Sequence, residues 1–224
     1  MKILLISGHG AGDPGAIGTY NGKTYKEADL TREVVNGVAK KLKECAEVTV
    51  YDQKRNAYTD YKNGTLNKNA NFAHYDFVLE VHFNAFKADS GDGRTKGVEI
   101  FAKSGSSIEP AICKNIAALG FVNRGVKSNS FAVINTARSK GTRAALLEVC
   151  FIDDADDMKL YLAKKEQVID AIVKGFGLKK AADPLANYKA NIKKKAGLSD
   201  ATIEYLADYK YADDLLRKLS DAMK

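Results

Sequence analysis

Three histidines stand in a chain of 224 residues, and two of them sit where strand-like runs end. His9 follows "KILLIS" and enters a glycine-rich loop, "GHGAGDPGAIG". His82 lies late in "FVLEVHFNAF", a run rich in strand-forming residues. The C-terminal ends of parallel strands share one edge of a sheet, where α/β proteins bind their ligands. Two imidazoles on that edge can converge on a metal ion. A catalytic zinc site takes three protein ligands and keeps a fourth position open. Glu27 is the third candidate, because it opens a helical pattern at the far end of the loop that begins at His9. A loop that folds back brings the two together. Glu148 is the one charged residue in "AALLEVCFI", and a carboxylate in an apolar strand is costly unless it is paired or at work. Two roles fit it. One is a general base of raised pKa that takes a proton from water. The other is a structural ion pair with Arg124, Arg138 or Arg143. His74 ends a short helical run and reads as structural.

The same loop spells G-x-G-x-x-G in "GAGDPG", the pattern of a dinucleotide cradle. Such a cradle needs a helix that starts within the glycines and an acidic residue about 20 positions on. Here no helical pattern begins before about Tyr25, and Asp52 lies too far downstream. A loop built around a metal ligand fits better than one built around phosphate.

The elements that must hold these residues alternate. "KILLIS", "EVTVYD", "YDFVLEVHFNAF", "KGVEIFAK", "SFAVIN" and "RAALLEVCFI" read as strands. Between them, Leu30, Val34, Val38 and Leu42 recur every four residues on one helical face. "LNKNANFAH" reads as a short helix and "SSIEPAICKNIAAL" as a longer one, capped by Ser106 or Ser107 with Pro110 in its first turn. "DDADDMKLYLAKKEQVIDAIVKGFG" closes the series as one or two helices. This order predicts an α/β fold of three layers, a mostly parallel sheet flanked by helices. After Gly177 only helical runs remain, with Gly197 as a stop and Ser199 and Asp200 as a cap. The expected organisation is a first domain at 1–177, a linker at 178–183 ("LKKAADP" marks the break) and a small all-helical module at 184–224. A module of about 40 residues is near the lower limit for folding alone.

Composition narrows the partners. The formal net charge is +7, which favours polyanions: nucleic acid, anionic lipid or an acidic cell wall. The lysines are scattered and no nucleic-acid module is recognisable, so nucleic acid is not an expected partner. No apolar run approaches membrane-spanning length, and the run after Lys2 is too short for a secretory signal. The expectation is synthesis in the cytoplasm without a signal peptide, and no membrane insertion. Cys45, Cys113 and Cys150 are far apart among apolar neighbours and read as buried, reduced thiols.

Four blocks in order resemble the zinc-dependent N-acetylmuramoyl-L-alanine amidases of the Amidase_3 type, found in phage endolysins and bacterial autolysins. They are "GHGAGDPGAIG", "KEADLTREVVNGVAKKL", "VHFNAF" and "NRGVKSNSFAVINTARSKGTRAALLEVCFIDDADD", and they span Lys2 to about Phe176. The resemblance implies Zn2+ held by His9, Glu27 and His82, with Glu148 as the catalytic glutamate. It implies hydrolysis of the amide between N-acetylmuramic acid and the L-alanine of the stem peptide in bacterial peptidoglycan, causing wall lysis. Glu80 departs from the family, where many members carry serine; it can orient His82 or rival Glu148 as base. Cys150 stands where glycine is common. A zinc peptidase acting inside the stem peptide, or a wall-binding protein without activity, are the alternative functions. For the C-terminal module, Lys193 to Lys195 and Tyr188, Tyr205, Tyr209 and Tyr211 suggest cell-wall binding, with homodimer formation as the alternative.

Overall fold

The structure, a computed structural model, describes residues 1–103, 105–179 and 185–223. The chain divides into two compact units, Met1–Lys179 and Lys180–Lys224. Residues 180–183 of the expected linker lie outside the described residues.

In the first unit the elements run β1 (Lys2–Ser7), β2 (Ile17–Tyr20), β3 (Lys23–Lys26), α1 (Glu27–Leu42), β4 (Glu47–Val50), α2 (Ala57–Lys62), α3 (Leu66–Ala70) and β5 (Phe77–Asn84). Then come β6 (Val98–Ala102), α4 (Ile108–Ala117), β7 (Asn123–Lys127), α5 (Ala132–Ser139), β8 (Arg143–Phe151) and α6 (Ala155–Gly175). Six strands form one sheet in the order β4-β1-β5-β8-β6-β7. All neighbours are parallel except β6 and β8. The expected three-layer α/β fold with a mostly parallel sheet is the fold observed.

Strand side chains alternate between faces, and β1 divides accordingly. Ile3 and Leu5 join a core with Val34 and Val38 of α1, Ile112 and Ile116 of α4, and Val168 and Ile172 of α6. Leu4 and Ile6 face the other way, into a second core with Ala57, Leu66, Val133, Ile134 and Ala137. The first face is thus covered by the long helices α1, α4 and α6, and the second by the short helices α2, α3 and α5. The closing helix α6 is continuous apart from a kink at Lys164.

Three local features differ from expectation. "SFAVIN" does not form a strand; it supplies the start of α5. Val133 and Ile134 look like strand residues alone, but with Ala137 they make one helical face buried against the sheet. "NRGVK" forms the edge strand β7, where burial is too slight to leave an alternating pattern. The segment 17–26 forms a hairpin, closed by Asn21 (φ 49°) and Gly22 (φ 72°) in left-handed conformations. Of the cysteines, Cys113 and Cys150 are buried and Cys45 only partly so, and all three are free.

The second unit holds α7 (Ala186–Ala196), α8 (Asp200–Ala207) and α9 (Ala212–Ala222). Gly197 ends α7 with φ 65°, and the Ser199 hydroxyl accepts from Thr202 N at 3.2 Å to cap α8. Ile192, Ile203, Ala212 and Leu216 form its core, and Tyr188 packs against that core rather than standing free. Tyr205, Tyr209 and Tyr211 are exposed. No helix among the described residues is long and apolar enough to cross a membrane.

Candidate metal centre

The second face of the sheet loses its apolar character toward the strand C-termini. On β5 it reads Val78, Glu80, His82, Asn84, and on β8 Ala144, Leu146, Glu148. His82 and Glu148 are register partners on adjacent parallel strands, and Glu148 is in turn opposite Glu99 of β6. Register partners point to the same face, so these three side chains form one row across the sheet.

His9 joins the row from the loop after β1. It holds φ 63°, a left-handed conformation uncommon for a residue with a side chain. Its ring is braced from behind: Nδ1 lies 2.8 Å from Asp13 Oδ2, and that oxygen accepts from Asn56 Nδ2 at 3.0 Å. The β2–β3 hairpin then returns the chain to α1. Glu27 N donates to Ala16 O at 2.9 Å, while Ala16 N donates to Glu27 Oε2 at 2.8 Å. This folds the loop back and turns the Glu27 side chain inward, buried at the first position of the helix. A carboxylate there is also favoured by the helix dipole.

One ligand atom from each of His9, Glu27 and His82 lies within 4.8 Å of the others. His9 Nε2 is 3.0 Å from Glu27 Oε2, and His82 Nδ1 is 2.9 Å from Glu27 Oε1. Two imidazole nitrogens and a carboxylate oxygen are the donor set of a divalent transition metal. Two glycines make room for it. A Cβ on Gly8 would lie within 2.6 Å of the His82 ring, and one on Gly15 within 2.6 Å of His9 and 2.7 Å of Glu27 Oε2. The spacing of the three ligand atoms fits a metal ion, and the glycines let the side chains that carry them approach.

The charges follow from this packing. Burial alone would raise the Glu27 pKa, but hydrogen bonds with His82 and His9 hold it well below the usual carboxylate range. Burial would lower the His82 pKa, yet the facing carboxylates of Glu27 and Glu80 hold it well above its ordinary value. Glu80 Oε1 lies 3.3 Å from His82 Nε2, on the side away from Glu27. Glu148 is pushed up to about 7 by burial, with Glu27, Glu99 and Glu80 adding to the effect and His82 opposing it. Its Oε2 is buried with no hydrogen-bond partner among the described residues. Arg124, one of its candidate ion-pair partners, is engaged by Glu99 at 2.7 Å, and Arg138 and Arg143 line a separate cleft.

These residues line a cleft of roughly 470 Å3 that contains His9, His82, Glu80 and Glu148, with Tyr58 and Tyr61 of α2 and Phe131 at the start of α5 as walls. Of the four expected site residues, His9, His82 and Glu148 line this cleft, and Glu27 contacts both histidines. His74 stays outside it, 3.5 Å from Glu47. Asp13 and Asn56 are site residues that sequence pattern does not flag. Asp13 carries a signal in hindsight, an acidic residue four positions after a histidine within a glycine loop. Asn56 carries none, because its partner is 43 residues away.

Fold and cluster together define an α/β protein with a metal-competent cleft at the C-terminal ends of its parallel strands. Residues 3–177 match the family described as N-acetylmuramoyl-L-alanine amidase, Amidase_3, and the chain belongs to that family. The chain is 28% identical over 194 residues to "Probable autolysin PH" of Staphylococcus aureus (strain NCTC 8325 / PS 47), covering 78% of this chain and 37% of that protein. It thus spans little more than a third of the length of this curated relative. Among solved structures, it resembles the catalytic domain of the CD27L endolysin targeting Clostridia difficile, at 22% identity and TM-score 0.62 over 78% of this chain and 96% of that one. It also resembles the catalytic domain of CwlV, an N-acetylmuramoyl-L-alanine amidase from Bacillus (Paenibacillus) polymyxa var. colistinus, at 24% identity and TM-score 0.62, over 79% and 96% of the two chains.

Proposed function

We propose that the chain hydrolyses the amide joining the lactyl group of N-acetylmuramic acid to L-alanine in bacterial peptidoglycan. In this reading zinc is held by His9, Glu27 and His82, and Glu148 is the general base. The observation that carries it is the convergence of those three ligand atoms within 4.8 Å, inside the region that matches the amidase family. Zinc bound there would supply Lewis-acid stabilisation of the charge that develops on the amide oxygen.

The chain's own residues do the rest. Glu148, a buried carboxylate with an oxygen that has no partner among the described residues, is placed to take a proton from the attacking water and to release it again. The water oxygen first bonds to the lactyl carbonyl carbon, and the carbon–nitrogen bond then breaks. The proton held by Glu148 passes to the departing amine of L-alanine. Asp13, steadied by Asn56, orients the His9 ring from its far nitrogen. Glu80 does the same for His82 in this scheme, which leaves Glu148 as the base.

Mass spectrometry of digested peptidoglycan tests the reading. Free stem peptides beginning with L-alanine, beside intact glycan chains, are the expected products. Cleavage inside the stem would identify a zinc peptidase instead, and no cleavage a wall-binding protein. Lysis that survives EDTA and dialysis would overturn the metal requirement; lysis restored by zinc supports it.

The second unit is proposed to bind the wall. The support is its exposed Tyr205, Tyr209 and Tyr211, which its small core does not use. Residues from about Pro184 onward, fused to a fluorescent reporter, should sediment with purified walls. A fusion that stays in solution, with full-length protein dimeric and the truncated form monomeric, would assign the unit to homodimer formation.

A further inference from the structure

Helix α2 has six residues, too few to persist as an isolated helix. Two buried polar side chains fasten it. Asn56 caps it by accepting from Thr59 N at 3.0 Å, and the same side chain donates to Asp13, the residue that braces His9. Asp60 accepts from Arg55 Nε at 2.7 Å and Nη2 at 2.6 Å, and from the Tyr51 and Thr65 hydroxyls. The start of α2 is therefore registered to a proposed metal ligand, and its middle is clamped to the fold.

What this fastened helix presents is aromatic. Tyr58 and Tyr61 are three residues apart, so they share a helical face, and both line the cleft of His9, His82 and Glu148. They are 61% and 43% exposed, and neither belongs to a hydrophobic core of the unit. The fold thus places two exposed rings beside the reacting groups, outside both hydrophobic cores, with the Lys62 ammonium 5.6 Å from the centre of the Tyr58 ring.

We propose that Tyr58 and Tyr61 form a stacking platform for a pyranose ring of the glycan strand, fixing the muramyl side of the scissile bond. The inference rests on the amidase reading above. Two unlike groups flank that bond. On one side is L-alanine, whose single methyl group covers little of one aromatic ring. On the other is a lactyl ether and, beyond it, a sugar ring with a flat face of C–H bonds and a rim of hydroxyls. A tyrosine ring offers a broad face of negative potential to the C–H bonds and a hydroxyl to the rim. The chemistry of the platform matches the sugar better than the methyl group.

Kinetics on soluble disaccharide-peptides from peptidoglycan test this, using the full chain loaded with zinc. Tyr58→Ala and Tyr61→Ala should each raise KM about three- to tenfold with kcat nearly kept, the size expected for loss of an aromatic contact. Tyr58→Phe and Tyr61→Phe, which keep the ring but lose the hydroxyl, should raise KM less than the alanine variants do. The alanine variants should show no such rise on an N-lactoyl peptide that lacks the sugar. An unchanged KM in both alanine variants would overturn the platform, and so would an equal rise on the sugar-free substrate, which would assign the tyrosines to the peptide. Unaltered melting temperature and zinc content separate these outcomes from misfolding. A second readout does not need turnover: a peptide-free muramyl oligosaccharide should perturb the tyrosine signals of the wild type and bind the alanine variants more weakly. If the wild type cleaves no amidase substrate yet binds that oligosaccharide through these tyrosines, the amidase reading fails and the platform stands.

Discussion

The two faces of the central sheet are built from the same strands and do opposite things. One is covered by α1, α4 and α6, which reach 16 and 21 residues in α1 and α6 and bury an unbroken apolar layer. The other is covered by α2, α3 and α5, of six, five and eight residues. Toward the strand C-termini these short helices leave the cleft open, and the side chains beneath are Glu80, His82 and Glu148. Alternation along a strand lets one residue serve stability and the next serve chemistry. Val81 is fully buried in the first core while His82, beside it, faces the cleft. Long helices make a continuous cover; short ones make a cover with gaps.

The largest effects should come from the open face. His82→Ala removes a proposed ligand, so zinc content and activity should fall together, measured by elemental analysis and a wall-lysis assay. Zinc content unchanged in that variant would refute the site. Glu148→Ala should keep zinc but lose about 10²- to 10⁴-fold in rate, the usual contribution of a general base. Its stability should change little or rise, because the substitution removes a buried carboxylate oxygen that has no partner. Near-normal turnover would move the base role to Glu80, its neighbour in the cleft.

The covered face should respond the other way. Leu79 is fully buried on β5, one residue from Glu80. Leu79→Ala should cost about 2–5 kcal/mol of stability through lost burial and a residual cavity, seen as a lower denaturation midpoint. Activity per folded molecule should remain near wild type. A large loss of kcat in fully folded Leu79→Ala protein would show that the two faces are coupled.

The long-helix face is legible in the sequence because periodicity reports burial. Leu30, Val34, Val38 and Leu42 are spaced as a buried helical stripe, and all four are buried. The candidate ligands are legible for a different reason: histidine is rare here, and each of His9, Glu27 and His82 sits at or near the end of an element. The short-helix face is where sequence pattern runs out. Six to eight residues give too little periodicity to distinguish a strand from a helix, as "SFAVIN" shows by forming α5. Helix α2 carries no apolar stripe; Asn56 and Asp60 hold it, through partners on other segments. The Asp13–Asn56 brace likewise depends on a contact that folding creates.

Asp60 makes that dependence measurable, with the smallest effect of the set. Its hydrogen bonds from Arg55, joined by Tyr51 and Thr65, outweigh its burial and lower its pKa to about 2. An unfolded aspartate titrates near ~3.9. A group whose pKa is depressed by folding adds stability above its unfolded pKa and loses it as pH falls through the folded one. The contribution should therefore be complete above about pH 4 and fade toward pH 2. Arg55 is 40% exposed, which weakens the pair, so Asp60→Asn should cost only about 1 kcal/mol at neutral pH. Denaturation of wild type and variant at a series of pH values should give curves that are separated above pH 4 and converge toward pH 2. Parallel curves across that range would mean that neutral contacts, not the Asp60 charge, hold α2 in place. The open face would then owe its order to packing, as the covered face does.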